Sequence, residues 1–149
     1  MFKKWMEKSK KDQRGLTLVE LLAVVVILAI VAAIAFVLIG NVIENSKKDA
    51  HIANAQQIIS AVKLAESSGD IDSTALTNGV DILATETKLN TIGSPVDPWD
   101  KEEYASATVK VENEEYKITL TLKNTENDKC SITNTSEAKL QQGRKAVCK

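Results

Sequence analysis

Hydrophobic and polar positions alternate along this chain with three different periods. Residues 21–39 form an unbroken run of nineteen apolar residues. A run of that length is close to the ~20 residues a helix needs to cross a bilayer. Farther on, Ala55, Ile58, Ile59, Val62 and Ala65 recur at i, i+3, i+4, i+7 and i+10. That spacing predicts an amphipathic helix with one face for a core. Ser67-Ser68-Gly69-Asp70 reads as its end, with the glycine at the C-cap. The two patterns join without a proline, so one helix of roughly 80 Å over residues 16–68 is expected at about 1.5 Å per residue. Gly40-Asn41 is its weakest point and the expected place for a bend.

Strict alternation begins near residue 107. Ala107, Val109 and Val111 oppose Thr108 and Lys110, while Tyr116, Ile118, Leu120 and Leu122 alternate with Lys117, Thr119 and Thr121. Glu112-Asn113-Glu114-Glu115 separates the runs, which predicts an antiparallel hairpin with one face inward. Residues 70–100 read as loop with short helical turns beginning at Ser73 and at Val80, and Gly93–Asp100 as a punctuated turn segment. The fold class is therefore α+β: a long N-terminal helix, membrane-spanning and then amphipathic, packed against a small antiparallel sheet. The expected division is 1–15, a leader; 16–40, a transmembrane helix; and 41–149, a globular domain outside the membrane.

Charge sharpens the N-terminal picture. Residues 1–15 hold six cations and two anions, so the leader carries +4, the rest −5, and the whole −1. Basic residues flanking a span stay on the cytoplasmic side, which puts the N-terminus inside. Fourteen residues of the run are Leu, Ile, Val or Phe. At about −0.3 to −0.6 kcal/mol each they favour insertion by roughly 4–8 kcal/mol. The lone carboxylate beside them, Glu20, costs about 2.5–3.5 kcal/mol at a helix centre and less near an end, so insertion wins. A secretory signal has its small-residue cleavage site after the apolar region. No such site follows Ile39 here; Gly15 precedes the run, so a cut there removes the charges and keeps the span. An uncleaved anchor is the plainer alternative, but a plain anchor gains nothing from Glu20.

Lys11-Asp12-Gln13-Arg14-Gly15-Leu16-Thr17-Leu18-Val19-Glu20-Leu21-Leu22 resembles the class III leader of type IV pilins and pseudopilins. The resemblance covers about residues 10–40. It implies cleavage after Gly15 by a prepilin peptidase/methyltransferase and N-methylation of Leu16, where most relatives have Phe. It also implies a role for Glu20 in assembly. A buried charge is offset by pairing with an opposite one, and a neighbouring subunit's Leu16 amine supplies such a partner. The implied partners are other copies in a homo-oligomeric filament, the inner-membrane assembly platform and the membrane itself.

Other candidate chemistry is sparse. Asp97-Pro98-Trp99-Asp100 resembles the Asp-Pro-Trp-Gly segment of major pseudopilins, with Asp100 in place of Gly. Calcium binds in C-terminal loops of such relatives, which makes Asp97 and Asp100, with Glu102 and Glu103, weak calcium candidates; no EF-hand spacing is present. The preferred reading is a proline-rigidified turn with Trp99 capping the core, and no cofactor is expected. Cys130 and Cys148 are the only cysteines, and an even count outside the cytoplasm permits a disulfide. A C-terminal disulfide-bounded loop is also what the resemblance to pilins implies. His51, the only histidine, is expected to face solvent from the helix. Asn134-Thr135-Ser136 fits a glycosylation sequon, more simply read as a polar surface loop.

No nucleophile motif, phosphate loop or second histidine is present, which argues against an enzyme. The acidic remainder disfavours direct binding to nucleic acid. The expected function is a structural pilus subunit used in adhesion, motility or surface attachment, first a single-pass membrane protein and then part of an extracellular filament. The alternative is a pseudopilin of a type II secretion or DNA-uptake machine. The cysteine pair favours the first and Asp97-Pro98-Trp99 the second.

Overall fold

The computed structural model describes residues 2–84, 93, 95–127 and 129–148, with side chains from Thr17 onward except Asn127. Two compact units divide it, Met1–Ile43 and Glu44–Lys149. Helix α1, Phe2–Ser68, contributes the first unit and the opening element of the second. Gly40 and Asn41, expected as a bend, both lie within the helix.

In the second unit α1 buries Ile52, Ala55, Ile58, Ile59, Val62 and Ala65. These are the positions that the 3.6-residue spacing aligns on one face. The helix stops at Gly69, whose φ is +84°. Gly69 N donates to Glu66 O at 3.2 Å and Asp70 N to Ala65 O at 2.9 Å. This pair of bonds is a Schellman motif, which satisfies carbonyls that the helix end would leave open. Helix α2, Ser73–Asn78, follows, with Asp72 as N-cap accepting from Thr74 N and Leu76 buried. The bond from Thr74 also holds the Asp72 carboxyl below its ordinary range.

Four antiparallel strands then form one sheet in the order β1-β2-β3-β4. Strands β2, Ser106–Glu112, and β3, Glu115–Thr121, pair from Ser106↔Thr121 to Glu112↔Glu115. Asn113 and Glu114 connect them with φ of +53° and +63°. Two such residues make a type I′ turn, whose twist suits a tight hairpin. Ala107, Val109, Ile118 and Leu120 point inward and are buried together with the α1 residues.

Strand β1, Val80–Asp81, replaces the helical turn expected to begin at Val80. Val80 pairs with Val109 and Asp81 with Thr108. Ile82 N donates to Ala107 O at 3.0 Å, and Asp81 Oδ1 accepts from Ala107 N at 3.0 Å. The unpaired edge of β2 outweighs the weak local preference of four residues. The parts of the expected 70–100 loop at 85–92 and 94 lie outside the described residues.

The C-terminal segment supplies β4, Thr135–Ser136, and the short helices α3, Glu137–Gln141, and α4, Arg144–Val147. Strand β4 pairs with β3 through Lys117↔Ser136 and Ile118↔Thr135. Ile132, Leu140 and Val147 are buried, so this polar stretch anchors by three apolar side chains and a strand.

Candidate functional site

From Leu21 to Ile39 the helix of the first unit is apolar on every side. Eighteen large hydrophobic side chains between Leu18 and Ile43 are exposed, with Phe36 the most open at 80%. Burial of each is worth about 1.5–3 kcal/mol, so leaving all of them in water forgoes roughly 27–54 kcal/mol. That exceeds the roughly 5–15 kcal/mol net stability of a whole domain. A helix of this kind belongs in lipid or among other apolar helices. Among the described residues it is the one helix long and apolar enough to cross a membrane.

Glu20 is exposed on this helix, one residue before the uncharged run 21–39. Gly15 and Leu16 lie within α1, but their side chains are outside those described. Between Thr17 and Ile43 Glu20 is the only ionisable side chain. An opposite charge at that depth must therefore come from a chain terminus or from another molecule.

The start of the second unit carries a polar cluster. His51, expected in solvent, is buried at 1% exposure. Its Nδ1 lies 2.8 Å from the Tyr104 hydroxyl. Asn54 Nδ2 donates to the same hydroxyl at 3.0 Å and to Val96 O at 2.9 Å. The Trp99 ring meets His51 edge-on at 5.4 Å between centroids. Trp99 Nε1 donates to Glu44 Oε1 at 3.1 Å, and Lys129 Nζ reaches Glu44 at 3.5 Å. Burial pushes the Tyr104 hydroxyl up to about 12; the neighbouring Asp97 charge adds to the rise and the Asn54 bond opposes it. Sequence reasoning placed His51 by polarity, yet His51, Ala55, Ile58, Val62 and Ala65 share one i, i+4, i+7, i+11, i+14 line. That line was the signal for burial.

The Asp97-Pro98-Trp99-Asp100 segment forms a turn. Asp97 Oδ1 accepts from Trp99 N at 2.9 Å, and Asp97 N donates to Glu102 O at 2.7 Å. Trp99 packs against the core, partly buried. Asp97 is buried, whereas Asp100, Glu102 and Glu103 are exposed. Among the described residues, no group of three or more His, Cys, Asp or Glu is placed to hold a metal ion.

Cys130 and Cys148 are joined, with Cα atoms 4.4 Å apart. Asn134 is exposed with φ +46°, and its N donates to Thr119 Oγ1 at 3.0 Å. Ion pairs tie the C-terminal helices to α1: Lys63 to Glu137 at 2.5 Å, and Arg144 to Asp49. Lys63 also lies over the Tyr116 ring, whose hydroxyl donates to Glu66. That bond, with some burial, raises the Tyr116 hydroxyl to about 12. On β2 and β3, Lys110 and Lys117 both bond Glu112 and hold its carboxyl down at about 2.

The profile of the prokaryotic N-terminal methylation motif matches residues 10–36. The match takes in Gly15, Leu16, Glu20 and the first two thirds of the exposed apolar helix. No curated protein and no solved structure matches the chain. The N-terminal segment is a class III prepilin leader of the kind that type IV pilins and pseudopilins carry. The motif and the apolar helix fit a membrane-anchored, pilin- or pseudopilin-like precursor, and the leader implies processing by prepilin peptidase.

Proposed function

We propose that this chain is a structural subunit of a type IV pilus filament. The precursor sits in the membrane with its N-terminus in the cytoplasm. Cleavage after Gly15 frees the Leu16 amine, which is methylated, and the apolar helix then moves from lipid into the filament. There the amine meets Glu20 of a neighbouring copy. The carrying observation is the methylation motif laid on a helix whose large apolar side chains from Leu18 to Ile43 are exposed. Exchange of lipid for other apolar helices costs little hydrophobic energy, because lipid tails are as apolar as leucine. Specificity then rests on the single charge, and a pairing in low dielectric is strong enough to set register. The second unit serves as the exterior of the filament.

Mass spectrometry of sheared surface filaments tests this. The subunit should begin at Leu16 and be heavier by one methyl group. A mature chain beginning at Met1 defeats the proposal. A second reading, a pseudopilin of a secretion or DNA-uptake machine, is favoured by Asp97-Pro98-Trp99. It predicts the same processed N-terminus with subunit absent from sheared filaments.

A further inference from the structure

Two cations at the start of the second unit have no counter-charge. Lys47 and Lys48 follow Ile43, where the exposed apolar stretch ends, by four and five positions. Both are partly buried, and among the described residues neither forms an ion pair. The carboxylate that helix geometry offers them is Glu44, at i−3 from Lys47 and i−4 from Lys48. Glu44 is engaged elsewhere: Trp99 Nε1 donates to it at 3.1 Å, and Lys129 Nζ lies 3.5 Å away. Asp49, the next acid along α1, pairs with Arg144. Both carboxylates of this stretch thus turn to the body of the unit, and two positive charges remain. Basic residues normally gather on the cytoplasmic flank of a span, where this chain has its leader. Lys47 and Lys48 stand on the opposite flank.

We propose that Lys47 and Lys48 bind the phosphates of anionic phospholipid headgroups on the outer surface of the membrane. Even a fully extended chain of four or five residues reaches at most about 14–18 Å. Chain connectivity therefore keeps both lysines near Ile43 in any orientation of the second unit. The headgroup layer is about 5–8 Å deep, and the attraction of an anionic surface extends about 8 Å farther at physiological salt. Lysine stems extend along apolar surface and deliver their ammonium groups toward the phosphates. The span cannot enter a bilayer without bringing these two charges to its surface, which makes lipid the partner. Cleavage after Gly15 removes the six leader cations, and Lys47 and Lys48 are then the only basic residues in 16–48. They hold the outer end of the processed subunit at the membrane surface until it is assembled. The proposal rests on the membrane-spanning reading of the precursor and adds a class of lipid to it.

The test reconstitutes the full chain in phosphatidylcholine vesicles that contain phosphatidylglycerol. Spin-labelled forms of the two lipids report, from their motionally restricted fractions, which one the protein prefers. Each lysine near an anionic surface is worth about fivefold, and the leader cations on the other surface dilute the change, so Lys47→Gln with Lys48→Gln should lower the preference for phosphatidylglycerol at least about twofold. Glutamine is a good helix former, and melting of the purified protein checks that the fold stands. Lys47→Arg with Lys48→Arg keeps the charges and should keep the preference. Lys139→Gln with Lys145→Gln, at exposed positions of α3 and α4, is the matched control and should also leave it unchanged. Equal preference in wild type and the Lys47/Lys48 glutamine pair overturns the proposal and assigns the lysines to a protein partner instead. Loss of preference in the arginine pair refutes recognition by charge. A chain that does not float with the vesicles defeats the membrane reading and the proposal with it, whereas one that floats with unchanged preference defeats the proposal alone.

Discussion

Replacement of Tyr104 by Phe isolates the polar cluster beneath the Asp-Pro-Trp turn. The ring is retained, so no cavity opens at this 3%-exposed position. What disappears is the hydroxyl that meets His51 Nδ1 at 2.8 Å and accepts from Asn54 Nδ2 at 3.0 Å. Loss of a buried hydrogen-bonding group that leaves partners behind costs about 1–3 kcal/mol. Asn54 keeps its bond to Val96 O, which favours the lower half of that range. The same variant has a signature in alkali. The folded state holds Tyr104 neutral up to about 12, against an ordinary 10. The native protein therefore binds more protons than the unfolded chain between those values, and stability falls as pH rises through them. A two-unit rise corresponds to up to about 2.7 kcal/mol lost across that window. Tyr116 titrates in the same direction, so wild type, Tyr104→Phe and Tyr116→Phe are compared. Urea unfolding in detergent, followed by the near-UV signal of Trp99, gives stability at pH 7 and pH 11. Tyr104→Phe should be less stable at pH 7 and lose less between the two pH values than wild type. An unchanged midpoint at pH 7, or an alkaline loss equal to wild type, would refute the account of the cluster.

Three further outcomes follow from particular contacts. Replacement of both Cys130 and Cys148 by Ser should cost on the order of 2–4 kcal/mol, because their bond closes a loop with a sequence separation of 18; equal urea midpoints for oxidised wild type and the variant would contradict this. Glu114→Gly should raise stability by about 0.5–1 kcal/mol, since Glu114 holds φ +63° in a turn that favours Asn-Gly; a lower midpoint would show that its side chain matters more than backbone strain. Glu20→Ala should leave membrane insertion intact or improved while filament yield falls; normal filaments from this variant as the only subunit would remove Glu20 from assembly.

The local terms in this chain were strong enough to be read directly. A nineteen-residue apolar run with a basic stretch ahead of it is legible as a candidate membrane helix because burial energies of that size outweigh local preferences, and the methylation motif lies on it. The period-3.6 face at Ala55–Ala65, the Gly69 stop and the 107–122 hairpin were legible for the same reason: side-chain periodicity is set by backbone geometry. Tertiary structure decided the rest. Val80 and Asp81 became a strand only because β2 offers an open edge, a fact that no window around them contains. His51 lies on the core line of Ala55 and Ile58, but the hydroxyl that its ring meets belongs to Tyr104, 53 residues away. The C-terminal segment is polar, with few apolar anchors. It docks because Thr135 and Ser136 find unpaired groups on β3 and because the Cys130–Cys148 bond holds its ends.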